Sequence, residues 1–175
     1  MTRKISLLVA IAMLGTSGAA FAQATAVQST TATTRILQAL TMAKNTDLAF
    51  GSVVRSAAAG TNTVTINATT GARSISGAGA GVLSASTSGR ATFTVTGEGA
   101  QTFSITPAAS FNMTRVGGAE TISVTTSQSA ATGTISGSLG SSGTSTFGVG
   151  GSFDVANTTV TGDYTGTFNV TAAYN

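Results

Sequence analysis

From Asn62 to Val155 the chain repeatedly alternates apolar and hydroxyl-bearing residues with a period of two. Ala91, Phe93 and Val95 are interleaved with Thr92, Thr94 and Thr96. An extended backbone places the first set on one face and the second on the other. Residues 62–68 do the same with Val64, Ile66 and Ala68, residues 101–106 with Phe103 and Ile105, and residues 120–125 with Ile122 and Val124. Shorter runs surround Ile135 and Leu139, Phe147 and Val149, and Phe153 and Val155. Glycine-rich breaks separate them, and helical periodicity is nearly absent beyond residue 22. Strands recurring every 8–14 residues or so, apolar on one face and Thr-rich on the other, predict an all-β chain folded as an antiparallel sandwich.

The opening of the chain follows a different rule. Arg3 and Lys4 precede an apolar run over residues 5–14, and small residues then lead to Ala20-Phe21-Ala22. A basic start, an apolar stretch of about ten residues and an A-x-A site read as a secretory signal peptide over residues 1–22. A bilayer needs about 20 apolar residues, so no membrane span is expected after cleavage. Gln23 becomes the mature N-terminus, residues 23–35 an extension, and residues 36–175 the β-domain.

Composition narrows the chemistry. The chain has 175 residues, no Cys, no His and no Trp, and 7% of it is charged, against about 25% in a typical globular domain. Ser and Thr together number 55, enough to cover every outward strand face without charge. There is no thiolate nucleophile, no imidazole base and no zinc site of the usual kind. The five carboxylates, Asp47, Glu98, Glu120, Asp154 and Asp163, lie far apart in sequence. No enzyme activity and no cofactor are expected. Asp154 and Asp163 read as solvated loop carboxylates rather than calcium ligands, which cluster in sets of six to eight oxygens.

Of eight basic residues, two belong to the signal peptide, so the mature chain carries 6 − 5 = +1. Its basic residues are scattered without aromatic interleaving, and no nucleic-acid partner is expected. A chain of this size buries roughly 68–70% of its unfolded surface and holds one core without disulfides. The Gly77-Ala78-Gly79-Ala80-Gly81 segment reads as a turn, lacking the third glycine and the helix of a dinucleotide loop. Ten aromatics, one of them Phe21, are too few for the two girdles of a transmembrane β-barrel.

The last fourteen residues carry the cleanest alternation. Tyr164, Phe168, Val170, Ala172 and Tyr174 share one face, in register with Gly162 and Gly166, while Thr165, Thr167, Asn169 and Thr171 share the other. The spacing predicts one strand running to the penultimate residue, kept either as a closing strand or for recognition by another protein.

A glycine fourteen residues from the end, alternating apolar positions and a penultimate tyrosine resemble the final strand of chaperone–usher pilins, matched here by Gly162, Phe168, Val170, Ala172 and Tyr174. A second resemblance covers most of the mature chain. Asp47-Leu48-Ala49-Phe50-Gly51, Val149-Gly150-Gly151, Gly162-x-Tyr164-x-Gly166, Val170-Thr171 and Tyr174-Asn175 are similar to the bacterial family called domain of unknown function 4402, associated with secreted pilin-like sandwiches of the archaic, spore-coat-U-like branch.

The resemblance implies an incomplete immunoglobulin-like β-sandwich completed by a donated strand. It implies a periplasmic chaperone and an outer-membrane usher as partners in export. It also implies a head-to-tail homopolymer, an extracellular or cell-surface pilus-like filament in which the next subunit's N-terminal extension fills the groove. The candidate donor is residues 23–35. Ala24, Ala26 and Ala32 share a register, interrupted by Gln28, Thr30 and Thr34, and the donor either reaches on through Ile36, Leu40 and Met42 or is a plain leader. Eleven charges in the mature chain and a single proline, Pro107, leave little to guard exposed strand edges, which favours assembly. The alternative is a monomeric secreted or surface-attached β-sandwich binding module whose loops at residues 77–88 or 137–145 contact a ligand.

Overall fold

The computed structural model describes residues 25–77, 79, 81–82 and 86–175. The signal-peptide reading, the candidate Ala24 and part of the 77–88 loop lie outside the described residues. Residues 25–35 contain no strand or helix and are exposed throughout; Ile36–Asn175 form a compact unit of their own.

That unit is all-β. Its strands are β1 (Thr41–Thr46), β2 (Val53–Val54), β3 (Thr61–Ile66), β4 (Arg73–Ser76), β5 (Gly81–Val82), β6 (Ala91–Glu98) and β7 (Thr102–Pro107). There follow β8 (Ser110–Arg115), β9 (Thr121–Gln128), β10 (Thr132–Thr134), β11 (Ser142–Ala156), β12 (Tyr164–Thr165) and β13 (Val170–Tyr174). Every pairing is antiparallel. The large sheet runs β1-β6-β11-β9-β8-β12 with β3 and β4 joined to β11, and a three-stranded sheet runs β10-β7-β13. β2 and β5 form a separate pair. No described helix is long and apolar enough to cross a membrane.

β11 is the organising strand, 15 residues long. Its first half pairs with β6, and Val149 faces Ala91 of β6 and Gln128 of β9 at once. β6 and β9 therefore lie on opposite edges of β11. From Gly151 onward β3 takes over the edge that β6 leaves. Gly148, Gly150 and Gly151 sit at this changeover and are buried. A Cβ on Gly150 would come within 2.1 Å of the Ile66 carbonyl, and one on Gly148 within 2.3 Å of the Ala68 carbonyl. Only a side chain of hydrogen lets the backbones approach so closely.

Two apolar clusters follow from this handover. The first gathers Ala91, Phe93, Val95, Phe103, Ile105, Ile135, Phe147 and Val149, from β6, the first half of β11 and the facing β10-β7 layer. Phe93 and Phe147 stack there with centroids 5.3 Å apart. The second gathers Phe50, Val64, Ile66, Val124, Phe153 and Val155 over the other half of β11, with Phe50 edge-on to Phe153 at 4.9 Å. Leu48 packs against both. Phe103 is the largest fully buried side chain, and its ring lies over Gly133, where a Cβ would sit 2.5 Å from it. Phe103→Ala is expected to lower unfolding free energy by about 3–5 kcal/mol, measured by urea denaturation, because the cavity has no neighbour free to fill it.

The structure corrects the sequence reading in several places. The runs around Phe147 and around Phe153 are one strand, β11, since its three buried glycines continue the extended backbone instead of breaking it. Near Ile135 only the short β10 forms, and Leu139 is exposed on a turn. Asp154 lies within β11 rather than in a loop, accepting the Thr63 hydroxyl at 2.6 Å. Part of the proposed 137–145 loop is strand: Ser142 begins β11, and the turn before it is pinned by hydrogen bonds between Ser138 and Ser141. The single strand expected over residues 162–174 is two, β12 and β13, in different sheets.

Candidate functional site

β13 pairs with β7 along one edge, from Val170 opposite Pro107 to Tyr174 opposite Phe103. No described strand pairs with its other edge. The ladder tells which groups that edge presents. Asn175 N–H donates to the Thr102 carbonyl and Ala108 N–H to the Asn169 carbonyl. Antiparallel residues alternate between bonded and non-bonded pairs, so Thr171 and Ala173 bond to β7. The N–H and C=O groups of Val170, Ala172 and Tyr174 then point to the free edge. Pro107, which lacks an N–H, sits opposite Val170 where none is needed.

The same three residues turn their side chains inward. Leu40, Leu48, Phe168, Val170, Ala172 and Tyr174 are the partly buried apolar side chains packed on the first cluster. All six belong either to the segments flanking β1 or to β13 and its lead-in. β1 is also an edge strand, paired only with β6 and exposed along its length. The first core is thus flanked by the free edges of both β1 and β13.

Tyr174 closes one end of this seam. Its hydroxyl accepts the Glu98 N–H at 2.7 Å and donates to the Gln38 carbonyl at 3.0 Å. Gly97 makes room, since a Cβ there would lie 2.2 Å from the hydroxyl oxygen. At the other end Phe168 stacks on Phe111 of β8 with centroids 4.8 Å apart, bridging the first cluster to the second.

The remaining candidates sit elsewhere. Tyr164 belongs to β12, paired with Arg115 of β8, and its hydroxyl donates to the Val160 carbonyl at 2.8 Å. Gly162 has a φ of +149° and faces Arg115, whose Nε donates to the Thr161 carbonyl at 3.0 Å. Arg115 also pairs with Glu120 at 3.3 Å, and the Glu120 carboxyl is held below its ordinary value by its own backbone N–H and by that guanidinium. Gly162 and Tyr164 therefore shape the β8–β12 corner, not the seam. Of the proposed donor residues, Ala26, Ala32 and Ile36 are exposed, Ile36 at 87%. Leu40 and Met42 are part of the domain, one packed on the first core and the other within β1. No group of three acidic residues, His or Cys that could hold a metal occurs among the described residues.

The family model described as Domain of unknown function (DUF4402) matches residues 40–174, from the residue before β1 to the end of β13. The chain belongs to the DUF4402 family. No curated protein and no solved structure matches it. The motifs that carried the family resemblance acquire positions in this DUF4402 chain. Leu48 joins the two cores and Phe50 fills the second. Ala49 makes an isolated bridge to Gly89, and Gly51 turns with φ +68°. Val149-Gly150-Gly151 is the changeover in β11, and a Cβ on Gly166 would meet the Asn112 carbonyl at 2.5 Å. Sequence reasoning missed β1 and β8 as strands. Met42 and Ala43 break the alternation of the first, and Phe111 and Met113 alternate over too few residues to stand out in the second.

Proposed function

We propose that this protein is a structural subunit of an extracellular pilus-like filament, assembled when a strand from another copy adds to the free edge of β13. The observation that carries this reading is the coincidence at one place of unpaired backbone and half-buried apolar side chains. Strand addition needs both: main-chain bonds for affinity and alternate side chains for specificity. Closing the seam over four or five apolar side chains contributes roughly 6–15 kcal/mol at about 1.5–3 each. The new main-chain hydrogen bonds add about 0.5–1.5 kcal/mol apiece. Together these exceed the lower range of association costs, about 4–15 kcal/mol. The contact is head-to-tail and does not close, so it generates a filament. The donor in this reading is residues 23–35, the exporting partners are a periplasmic chaperone and an outer-membrane usher, and the chain catalyses nothing.

Protein recovered from the surface of its own cells, run on a denaturing gel with and without boiling, tests the reading. Unboiled samples are expected to show a ladder at multiples of the monomer mass that collapses on heating, because complemented strands release slowly. A single monomer band in both lanes rejects it and favours the monomeric binding module. Removing residues 23–35 is expected to leave a folded monomer and abolish the ladder; a persisting ladder places the donor elsewhere.

A further inference from the structure

Glu98 is the one buried charged side chain among the described residues, 3% exposed at the end of β6. No cation among the described residues pairs with it; the described ion pairs are Lys44–Asp47 and Arg115–Glu120. A buried carboxylate without a cation is expensive unless its oxygens are satisfied. Here both oxygens accept backbone N–H groups, Oε2 from Gln38 at 3.2 Å and Oε1 from Gly140 in the turn before β11. The backbone N–H of the same residue donates to the Tyr174 hydroxyl, which in turn donates to the Gln38 carbonyl.

Gln38 is therefore gripped twice, by its N–H from β6 and by its C=O from β13. It belongs to no strand, so these two bonds and the packing of Leu40 anchor the chain just before β1. An apolar residue at position 98 would be cheaper to bury but would leave the Gln38 and Gly140 N–H groups without partners. The choice of a carboxylate is explained by what it holds.

The geometry points to a clasp in which Glu98 is a positioning residue: through Gln38 it fixes the point where the N-terminal segment leaves the domain, and through Tyr174 it ties that exit to the order of β13. The consequence for assembly rests on the reading proposed above. A strand docked on β13 steadies Tyr174, and with it the root of the segment to be donated next. An occupied subunit then presents its own donor from a fixed point, and an unoccupied one from a looser one. The clasp itself needs no filament, so a failure of assembly and a failure of the clasp are separate results.

Native-state hydrogen exchange on the folded full chain tests it, comparing wild type with Tyr174→Phe and Glu98→Gln. In wild type the Gln38 amide is expected to be protected to the level of Thr171 and Ala173, opening with β13 as one unit. Tyr174→Phe, which removes one oxygen, is expected to speed Gln38 exchange about tenfold relative to Phe147, a buried β11 residue opposite Phe93 of β6. Glu98→Gln keeps the shape but offers one acceptor where there were two, and is expected to speed Gln38 or Gly140 similarly. Three results overturn the clasp: Gln38 exchanging as freely as Thr30 in wild type, no change relative to Phe147 in either variant, or a uniform acceleration of all amides. If Glu98→Gln does not fold, the Tyr174→Phe comparison decides alone.

Discussion

Ala172→Pro is expected to give a folded monomer that no longer adds a strand. The Ala172 N–H faces the free edge of β13, so the substitution removes no ladder bond within the domain. Proline is tolerated on edge strands with the N–H side outward, and the preceding Thr171 is already extended as proline requires. The cost in the isolated domain is about 1 kcal/mol, whereas an incoming strand loses a donor and meets the ring at the centre of the seam. Ala173→Pro is the opposite case. Its N–H belongs to the pair with Ser104, and its loss leaves a partner carbonyl unsatisfied, about 1–3 kcal/mol before the ring clash is counted. Circular dichroism melting and the unboiled gel separate the two variants. Assembly of Ala172→Pro at the wild-type level sinks the β13 edge as the docking site. This is a sharper probe than acidic substitutions at Phe168 or Val170, which pack on the first core and so weaken the domain itself.

Gly150→Ala is expected to cost about 3 kcal/mol or more in unfolding free energy. The added carbon meets three backbone atoms, the Ile66 carbonyl at 2.1 Å, the Ala68 nitrogen at 2.7 Å and the Ala68 Cα at 3.0 Å. Neither strand can swing aside as a flexible side chain would, so relief demands a shift of β11 against β3, at the upper end of overpacking penalties. Gly89→Ala is the control: nothing lies within 4 Å of its Cβ position, and the change is expected to stay within about 0.5 kcal/mol. Urea unfolding of both gives the comparison. Equal midpoints would show that the changeover tolerates a side chain and that close approach is not why glycine occupies it.

Much of the architecture is written in the alternation. Val64 and Ile66, Phe93 and Val95, Phe103 and Ile105 all face inward as a period of two requires, because each strand packs one face on a core and leaves the other to solvent. The continuity of β11 was not legible, since Gly148, Gly150 and Gly151 read as a break when taken locally and prove to be a contact only when Ile66 and Ala68 are brought against them. The division of the final strand was hidden for a similar reason. The burial of Tyr164, Phe168, Val170, Ala172 and Tyr174 alternates as expected, yet Gly166 packs on Asn112 and the chain changes sheets there. Periodicity reports which face is buried; it does not report against which sheet. The Glu98–Gln38–Tyr174 clasp spans 136 residues of sequence between its extremes, and no local signal marks it.

The position of β11 in the sequence governs when the domain can fold. β6, β3 and β9 all lie earlier in the chain, and each takes β11 as a neighbour. A chain emerging from its N-terminus therefore displays a set of edges without a centre until residues beyond 142 are free. Contacts of such long sequence separation make for slow folding and a long interval of exposed edges. The design delays commitment: the polypeptide stays threadable almost to its end, and the same late strand then fixes both cores in one step.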